Sequence, residues 1–346
     1  MGDGTNIEWT DATWNPATGC TRVSPGCDHC YIDRTPPFRM NGRAFHKEGV
    51  GGSTGVLLHP DRLDQPLRWT RPRRVFVNSL SDLFHDDIPD EFIAEVFAVM
   101  ALAPRHTFQL LTKRHGRLRS LLTNPCVIDG PSGPLTFEDV VRNVAWNMRN
   151  RWLAEHPGKV PSFPKGDAFA WPLPNVWVGV TVEDQTRADL RIPALLQTPA
   201  AVRFLSAEPL LGPVDLTRWL DVEVECGRRP DALDWVIAGG ESGPGARPMH
   251  PDWARSLRDQ CTAAGVAFLF KQWGEWAPVP ADTDGAVGFT PRGFFTSKIE
   301  YSSDRFPSGS TTPVGELIKR VGKKAAGREL DGVTHDGYPA TKIVAP

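Results

Sequence analysis

At 346 residues the chain is long enough for one large α/β barrel with additions, or for two domains, and a sizeable core is available to it. Its 39 Lys and Arg stand against 41 Asp and Glu, a formal charge of -2, so composition advertises no polyanion-binding surface and net charge does not argue for nucleic acid. The first residues, Met1 to Asn6, lack the basic and apolar regions of a secretory signal, and no apolar run approaches the roughly 18 residues of a membrane span, which predicts a cytoplasmic protein with no membrane partner.

Six cysteines in a reducing compartment argue against a disulfide framework. Cys20, Cys27 and Cys30 cluster at C-x6-C-x2-C, whereas Cys126, Cys226 and Cys261 stand alone and read as ordinary thiols. Three thiolates make an incomplete ligand set. They suit a four-iron cluster with one iron left open, because a closed structural zinc site wants four ligands. A zinc site completed by His29 or a distant residue is the alternative from spacing.

In chain order, Asn6 to Pro16 supplies a short first strand leading into the cysteine loop. Asp33 to Ser53 reads as loop and His59 to Leu67 as a brief helix. Val75 to Asn78 is a β-branched and aromatic run of the buried parallel kind that breaks into Ser79-Leu80-Ser81-Asp82. Asp90 to Ala103 is a helix stopped by Pro104, so the pair makes a βα unit. Thr107 to Leu111 repeats the grammar, ending at Thr112-Lys113-Arg114 before a short helix near Gly116 to Leu122.

Asn124 to Pro174 interrupts the rhythm. Its middle, Phe137 to Glu155, is helical, and the segment reads as an insertion or lid-like excursion. Val176 to Val180 then ends at Thr181-Val182-Glu183, with Asp184 to Gln197 as its helix, and Val202 to Leu205 ends at Ser206-Ala207-Glu208-Pro209. Asp234 to Ala238 ends at Gly239-Gly240-Glu241-Ser242-Gly243, followed by a helix over His250 to Ala264. Val266 to Phe270 closes the series at Lys271-Gln272-Trp273.

About seven strands with crossovers predict an α/β fold, a partial or complete parallel (β/α) barrel of the TIM type whose ligands collect at the carboxyl ends of the strands. The core covers 1–275, with the insertion at about 125–172. The remainder, 276–346, is a C-terminal extension with a variable loop to about Pro307 and a basic tail, Lys319, Arg320, Lys323, Lys324 and Arg328, read as a solvated helix end.

The cysteine loop and the strand-end signatures together resemble the phage Gp37/Gp68-like family, also described as three-Cys-motif proteins. The likeness takes in Ile7 to Pro16, Gly19 to Tyr31, Arg62 to Leu67, Phe76 to Phe84, Leu110 to Arg114, Gly179 to Glu183, Ser206 to Leu210, Gly239 to Gly243, Lys271 to Gly274 and Gly322 to Arg328. Through that family the chain is similar to a divergent branch of the radical S-adenosylmethionine superfamily, near spore photoproduct lyase-like proteins.

The resemblance implies a barrel of the radical-SAM type and a [4Fe–4S] cluster ligated by Cys20, Cys27 and Cys30. S-adenosyl-L-methionine would chelate the open iron, and one-electron reduction would release a 5′-deoxyadenosyl radical that abstracts hydrogen from substrate. It also implies an electron donor, a nucleic-acid or nucleotide substrate for modification or repair, and a genomically linked partner protein. The superfamily's usual C-x3-C-x2-C places an aromatic residue just before the last cysteine; here the first gap is six, that position is His29, and Tyr31 follows instead.

By the same resemblance, Asn78, Ser79, Ser81 and Asp82 face the cofactor's methionyl amine and Thr181 and Glu183 its ribose hydroxyls, with Tyr31 and Ser206 counted among the cofactor-binding residues. Gly239 and Gly240 let backbone approach it closely. Lys113, Arg114, Glu208, Glu241 and Lys271 would meet substrate phosphate or carboxylate, and Trp273 with Trp276 would stack a base. Each of these residues also has a plainer reading as a helix cap, a solvated rim charge or packing. A non-catalytic iron–sulfur or zinc-binding protein with a nucleic-acid or protein interaction role is the alternative for the whole chain.

Overall fold

A computed structural model describes residues 5, 7–125, 128–130, 133–158, 169–220, 223–224, 227–228, 232–280, 283–289, 295–296 and 316–340. Cys126 and Cys226, and much of the expected variable loop, lie outside the described residues.

Seven runs build one parallel sheet: β1 (Ala12–Trp14), β2 (Arg74–Val77), β3 (Thr107–Thr112), β4 (Val176–Thr181), β5 (Val202–Ala207), β6 (Trp235–Gly239) and β7 (Ala267–Gln272). They follow one another in chain order from edge to edge, the arrangement of a partial (β/α) barrel. A complete barrel needs β7 to pair with β1, and no such pairing occurs among the described residues. Crossover helices are α1 (Asp90–Leu102), α2 (His115–Thr123), α3 (Phe137–Glu155), α4 (Gln185–Leu196) and α5 (Pro251–Ala263). Every position of β4 and of β5 is buried, as a strand covered on both faces requires. Among the described residues no helix is long and apolar enough to cross a membrane.

By contact the chain divides into two compact units. One comprises Met1–Val180, Arg191–Phe204 and Thr341–Pro346; the other comprises Thr181–Leu190 and Leu205–Ala340.

In the first unit Ala12, Thr13 and Trp14 pair with Val75, Phe76 and Val77, and β2 pairs in turn with β3 and β3 with β4. Asp90 and Glu91 favour the positive start of α1, and almost every later side chain of the helix is buried. It is apolar all round because it is covered on both sides. The second cover is α3, whose start is fixed by a capping box: Thr136 accepts from the amide of Asp139, and Asp139 accepts from that of Thr136. Phe137, Val140, Val141 and Ala145 form its buried stripe, and the ring of Phe137 meets that of Phe97 edge-on at 5.3 Å. The helix of the expected insertion is therefore a packed layer on α1; burying each of Phe137, Val140 and Val141 contributes about 1.5–3 kcal/mol.

In the second unit β6 pairs with β7 with a register shift at Ala238/Gly239. Beyond it, β8 (Trp276–Pro278), β9 (Val287–Phe289), β10 (Phe295–Thr296) and β11 (Glu316–Arg320) form an antiparallel sheet in the order β8-β11-β9-β10. The basic tail differs from the solvated helix end expected of it. Lys319 and Arg320 close β11, Lys323 and Lys324 sit in a single short helix, and the chain then runs back along β7. There Phe270 N donates to His335 O at 3.0 Å and Gly337 N to Phe268 O at 2.9 Å. That covers the free edge of β7, which would otherwise be a pairing hazard.

Candidate metal centre

The cysteine loop of the first unit leaves the end of β1 and turns at Gly19, whose φ is +101 and whose amide donates to Leu80 O at 2.8 Å. A Cβ here would stand 1.6 Å from Gly55 O, so only glycine lets the segment around Gly55 cross so closely. That segment closes over the loop: Thr54 N donates to Cys20 O at 3.1 Å, Cys20 N to the Thr54 hydroxyl at 3.1 Å, and Arg22 N to Gly52 O at 2.8 Å. Cys27 ends a single helical turn, Pro25–Cys27, and Cys30 N donates back to Cys27 O at 3.2 Å. The second gap of the cysteine motif is thus spanned by a turn.

Cys27 is buried and Cys20 and Cys30 are half-buried, all as free thiols. Burial pushes the Cys20 thiol up to about 12, the Arg114 guanidinium pulls against it, and Cys27 and Cys30 push the same way as burial. Burial also raises Cys30. Losing a proton here is costly without a cation, and a bound metal supplies one. Among the described residues no group of three or more His, Cys, Asp or Glu could hold a metal ion. A tetrahedral zinc would hold its sulfurs roughly 3.8 Å apart at Zn–S bonds of 2.3 Å. Cys20, Cys27 and Cys30 are the residues that would hold an iron–sulfur cluster, which would supply the cation their deprotonation calls for.

Asp82 and Arg114 meet beside Cys20. Asp82 Oδ1 accepts from the Thr112 hydroxyl at 2.7 Å and Phe84 N at 3.1 Å, and Oδ2 from Lys113 N at 3.0 Å and Arg114 Nη1 at 3.2 Å. The carboxylate is fully engaged within the protein. Arg114 Nη1 also lies 3.7 Å from Cys20 Sγ, and Nη2 donates to Thr21 O at 3.1 Å. Burial lowers the affinity of Arg114 for its proton, but Asp82 and Cys20 outweigh that and raise it.

On the other side of the loop, Tyr31 Oη donates to Ser79 O at 2.5 Å with its side chain half exposed. Ser79 Oγ donates to Asn15 Oδ1 at 3.2 Å, as does Leu80 N at 2.9 Å. Asn78 turns the strand end with φ of 60, and among the described residues its buried amide has no hydrogen-bond partner at either atom, nor has the buried Ser81 Oγ. His85 accepts at Nδ1 from Asp87 N at 3.1 Å, so its proton sits on Nε2, 2.8 Å from the Thr21 hydroxyl. The residues of the loop and strand ends therefore suit a group that brings positive charge to the thiolates and polar atoms to Asn78 and Ser81.

In the second unit Thr181, Glu183 and Ser206 are buried, and their neighbourhood is knitted by Val182 N to Ser206 O at 2.8 Å and Leu211 N to Glu183 O at 2.7 Å. Lys271 Nζ lies 2.7 and 2.9 Å from the two carboxylate oxygens of Glu208, and Gln272 Nε2 adds a bond at 3.1 Å. Glu241 accepts from Arg247 at 2.6 and 2.9 Å through the guanidinium and at 2.8 Å through the backbone. Gly239 stands at the register shift. At Gly240 a Cβ would be 1.9 Å from Trp273 O, so the close approach it permits is that of β7's own continuation. Trp273 is buried with Nε1 donating to Glu329 O at 2.8 Å, and Trp276 Nε1 donates to Ala246 O at 2.8 Å.

The family described as a protein of unknown function, DUF5131, matches residues 4–339. The chain belongs to this family. Neither the curated proteins nor the solved structures offer a match.

In this DUF5131 member the structure brings Cys20, Asp82, Arg114 and the backbone of Lys113 together, ties Tyr31 to Ser79, and pairs Glu208 with Lys271. Sequence reading missed Asn15, Thr112 and the 51–55 segment. Asn15 follows the end of β1, and Thr112 directly precedes Lys113-Arg114, but neither carries a charge that would single it out.

Proposed function

We propose that this DUF5131 protein binds a [4Fe–4S] cluster through Cys20, Cys27 and Cys30 and acts as a radical S-adenosylmethionine enzyme. One observation carries the reading: three free thiols from one loop adjoin a strand end where Asn78 and Ser81 bury polar atoms that find no partner among the described residues. An unsatisfied buried polar group costs about 1–3 kcal/mol, and the amine and carboxylate of the cofactor would supply the missing bonds. When bound, the two groups together supply reductive cleavage of a carbon–sulfur bond and hydrogen abstraction. The chain's own part is positional. Gly19 and the 51–55 segment hold the loop shut, Tyr31 ties it to Ser79, and Arg114 sits against Cys20. The proposed substrate, a nucleic acid or nucleotide, and the electron donor rest on the resemblance to the three-Cys-motif proteins.

A second reading, a non-catalytic iron–sulfur protein, is favoured by the charged residues expected to meet substrate. Glu208, Lys271, Glu241 and Arg114 all have protein partners.

Anaerobic reconstitution with iron and sulfide, followed by reduction with S-adenosylmethionine present, tests both. A four-iron cluster and 5′-deoxyadenosine above the level of a Cys27→Ala control support the enzyme. A cluster without cleavage above that control supports the second reading, and retention of zinc alone defeats both.

A further inference from the structure

We infer that Arg114 is a positioning residue for the thiolate of Cys20, and that its charge sets how readily a cluster on the three cysteines accepts an electron. The inference rests on the reading above and deepens it.

Arg114 lies two residues beyond the end of β3, just before α2, and the strand end locks it. Its backbone N–H donates to the Thr112 hydroxyl at 2.8 Å, and that hydroxyl donates to Asp82 at 2.7 Å. Asp82 then accepts Arg114 Nη1 at 3.2 Å, with both side chains only 8% exposed. The same nitrogen faces Cys20 Sγ at 3.7 Å, while Nη2 holds Thr21 O at 3.1 Å. A guanidinium spread over a carboxylate, a sulfur and a carbonyl has no fork left for a substrate phosphate. Leaving would also strand Asp82, a buried carboxylate.

What remains for Arg114 is the sulfur. The potential of an iron–sulfur cluster follows its net charge, the hydrogen bonds to its sulfurs and its exposure. Reduction adds one electron from an external donor, and the cluster with its thiolates becomes one unit more negative. A fixed cation at the Cys20 sulfur stabilises that state more than the oxidised one. Arg117, on α2 just after Arg114, serves as a comparison: it is paired with Asp90 and bonded to the carbonyls of His85 and Ile88, with no cysteine among its partners in the described residues.

The test is a redox titration of the reconstituted protein with titanium(III) citrate, which gives up one electron and becomes titanium(IV), followed by the paramagnetic resonance signal of the reduced cluster. Arg114→Gln is expected to shift the reduction equilibrium at least tenfold toward the oxidised form, about 59 mV for a one-electron couple. Arg114→Lys, which keeps the charge, stays within a few-fold of the parent, and Arg117→Gln matches it. An Arg114→Gln cluster with the parent's potential overturns the inference. Loss of iron from both Arg114 variants overturns it too, since the residue would then serve loop assembly. If the parent chain assembles no cluster, the proposed function fails with it, and that failure is visible before any variant is compared.

Discussion

Arg114 Nη1 lies 3.2 Å from Asp82 Oδ2, and the two side chains are 8% exposed each. The pair is neutral as a unit and costly to break from one side. Asp82→Ala leaves a buried guanidinium and removes the acceptor for the Thr112 hydroxyl and for two backbone amides, so a loss of about 3–5 kcal/mol is expected. In Asp82→Ala/Arg114→Met no unpaired charge remains, and part of the loss should return. Denaturant unfolding of the two variants checks this, and equal losses would show that the charge is not what matters.

Gly19 tests the closure of the cysteine loop by the 51–55 segment. Gly19→Ala meets both the strained φ of +101 and a carbonyl oxygen 1.6 Å from the new Cβ. Left-handed strain alone costs of order 1–3 kcal/mol, and the clash requires the backbone at Gly55 to move as well. The expected outcome is a lower melting temperature and iron uptake reduced at least several-fold after reconstitution. Gly42→Ala, at φ of +63 with open space around its Cβ, is the control for strain without a clash. If it loses as much iron as Gly19→Ala, the crossing at Gly55 is not the cause.

Most of the seven strands were legible because they are short runs of apolar, β-branched or aromatic residues that break into polar ones, a pattern set by burial, whereas β1 showed only as part of the wider Asn6 to Pro16 stretch. The C-x6-C-x2-C spacing was legible because it is local. What the residues do to one another was not. Arg114 and Glu208 read as open rim charges because their partners, Asp82 and Lys271, come from other strand ends, and sequence spacing carries no register between distant strands. The left-handed turn at Asn78 was hidden for a related reason: a residue reading as the last of a strand adopts φ of 60 only in its tertiary setting. The tail after β11 looked solvated because its charges are real, but the backbone bonds of His335 and Gly337 to β7 leave no trace in composition.

Acid sensitivity should come partly from two buried histidines, one in each unit. His106 donates from Nε2 to Pro66 O at 3.0 Å, and His250 accepts Asp252 N at Nδ1 at 3.1 Å, capping α5. Burial lowers both below the usual value of 6.5, against the opposing Pro66 bond at His106 and the Asp252 charge at His250. Between that lowered value and 6.5 the unfolded chain binds more protons than the folded one. Stability therefore falls as pH drops through this window and levels off below the folded-state value. His250→Asn keeps a cap and removes the titration, so its melting temperature should fall less than the parent's between pH 7.5 and pH 5.5, values roughly spanning the usual His titration. Superimposable profiles would sink the assignment.

Trp273 separates packing from base stacking. Its side chain is buried, its Nε1 donates to Glu329 O at 2.8 Å, and its ring meets Phe270 at 5.0 Å and 70°. Both ring and polar edge are already used inside the protein. Trp273→Phe should cost about 1 kcal/mol for the lost hydrogen bond, since the carbonyl of Glu329 loses its donor. Trp273→Leu removes the aromatic face altogether and should destabilise further, yet leave the affinity for a short single-stranded oligonucleotide unchanged. A stacked base would instead contribute about 1–3 kcal/mol to that affinity. Fluorescence anisotropy of a labelled oligonucleotide, read beside a denaturation curve, distinguishes the two. If Trp273→Leu binds at least tenfold more weakly while Trp273→Phe binds normally, the indole reaches substrate after all, and the packed position it holds here must open to let it do so.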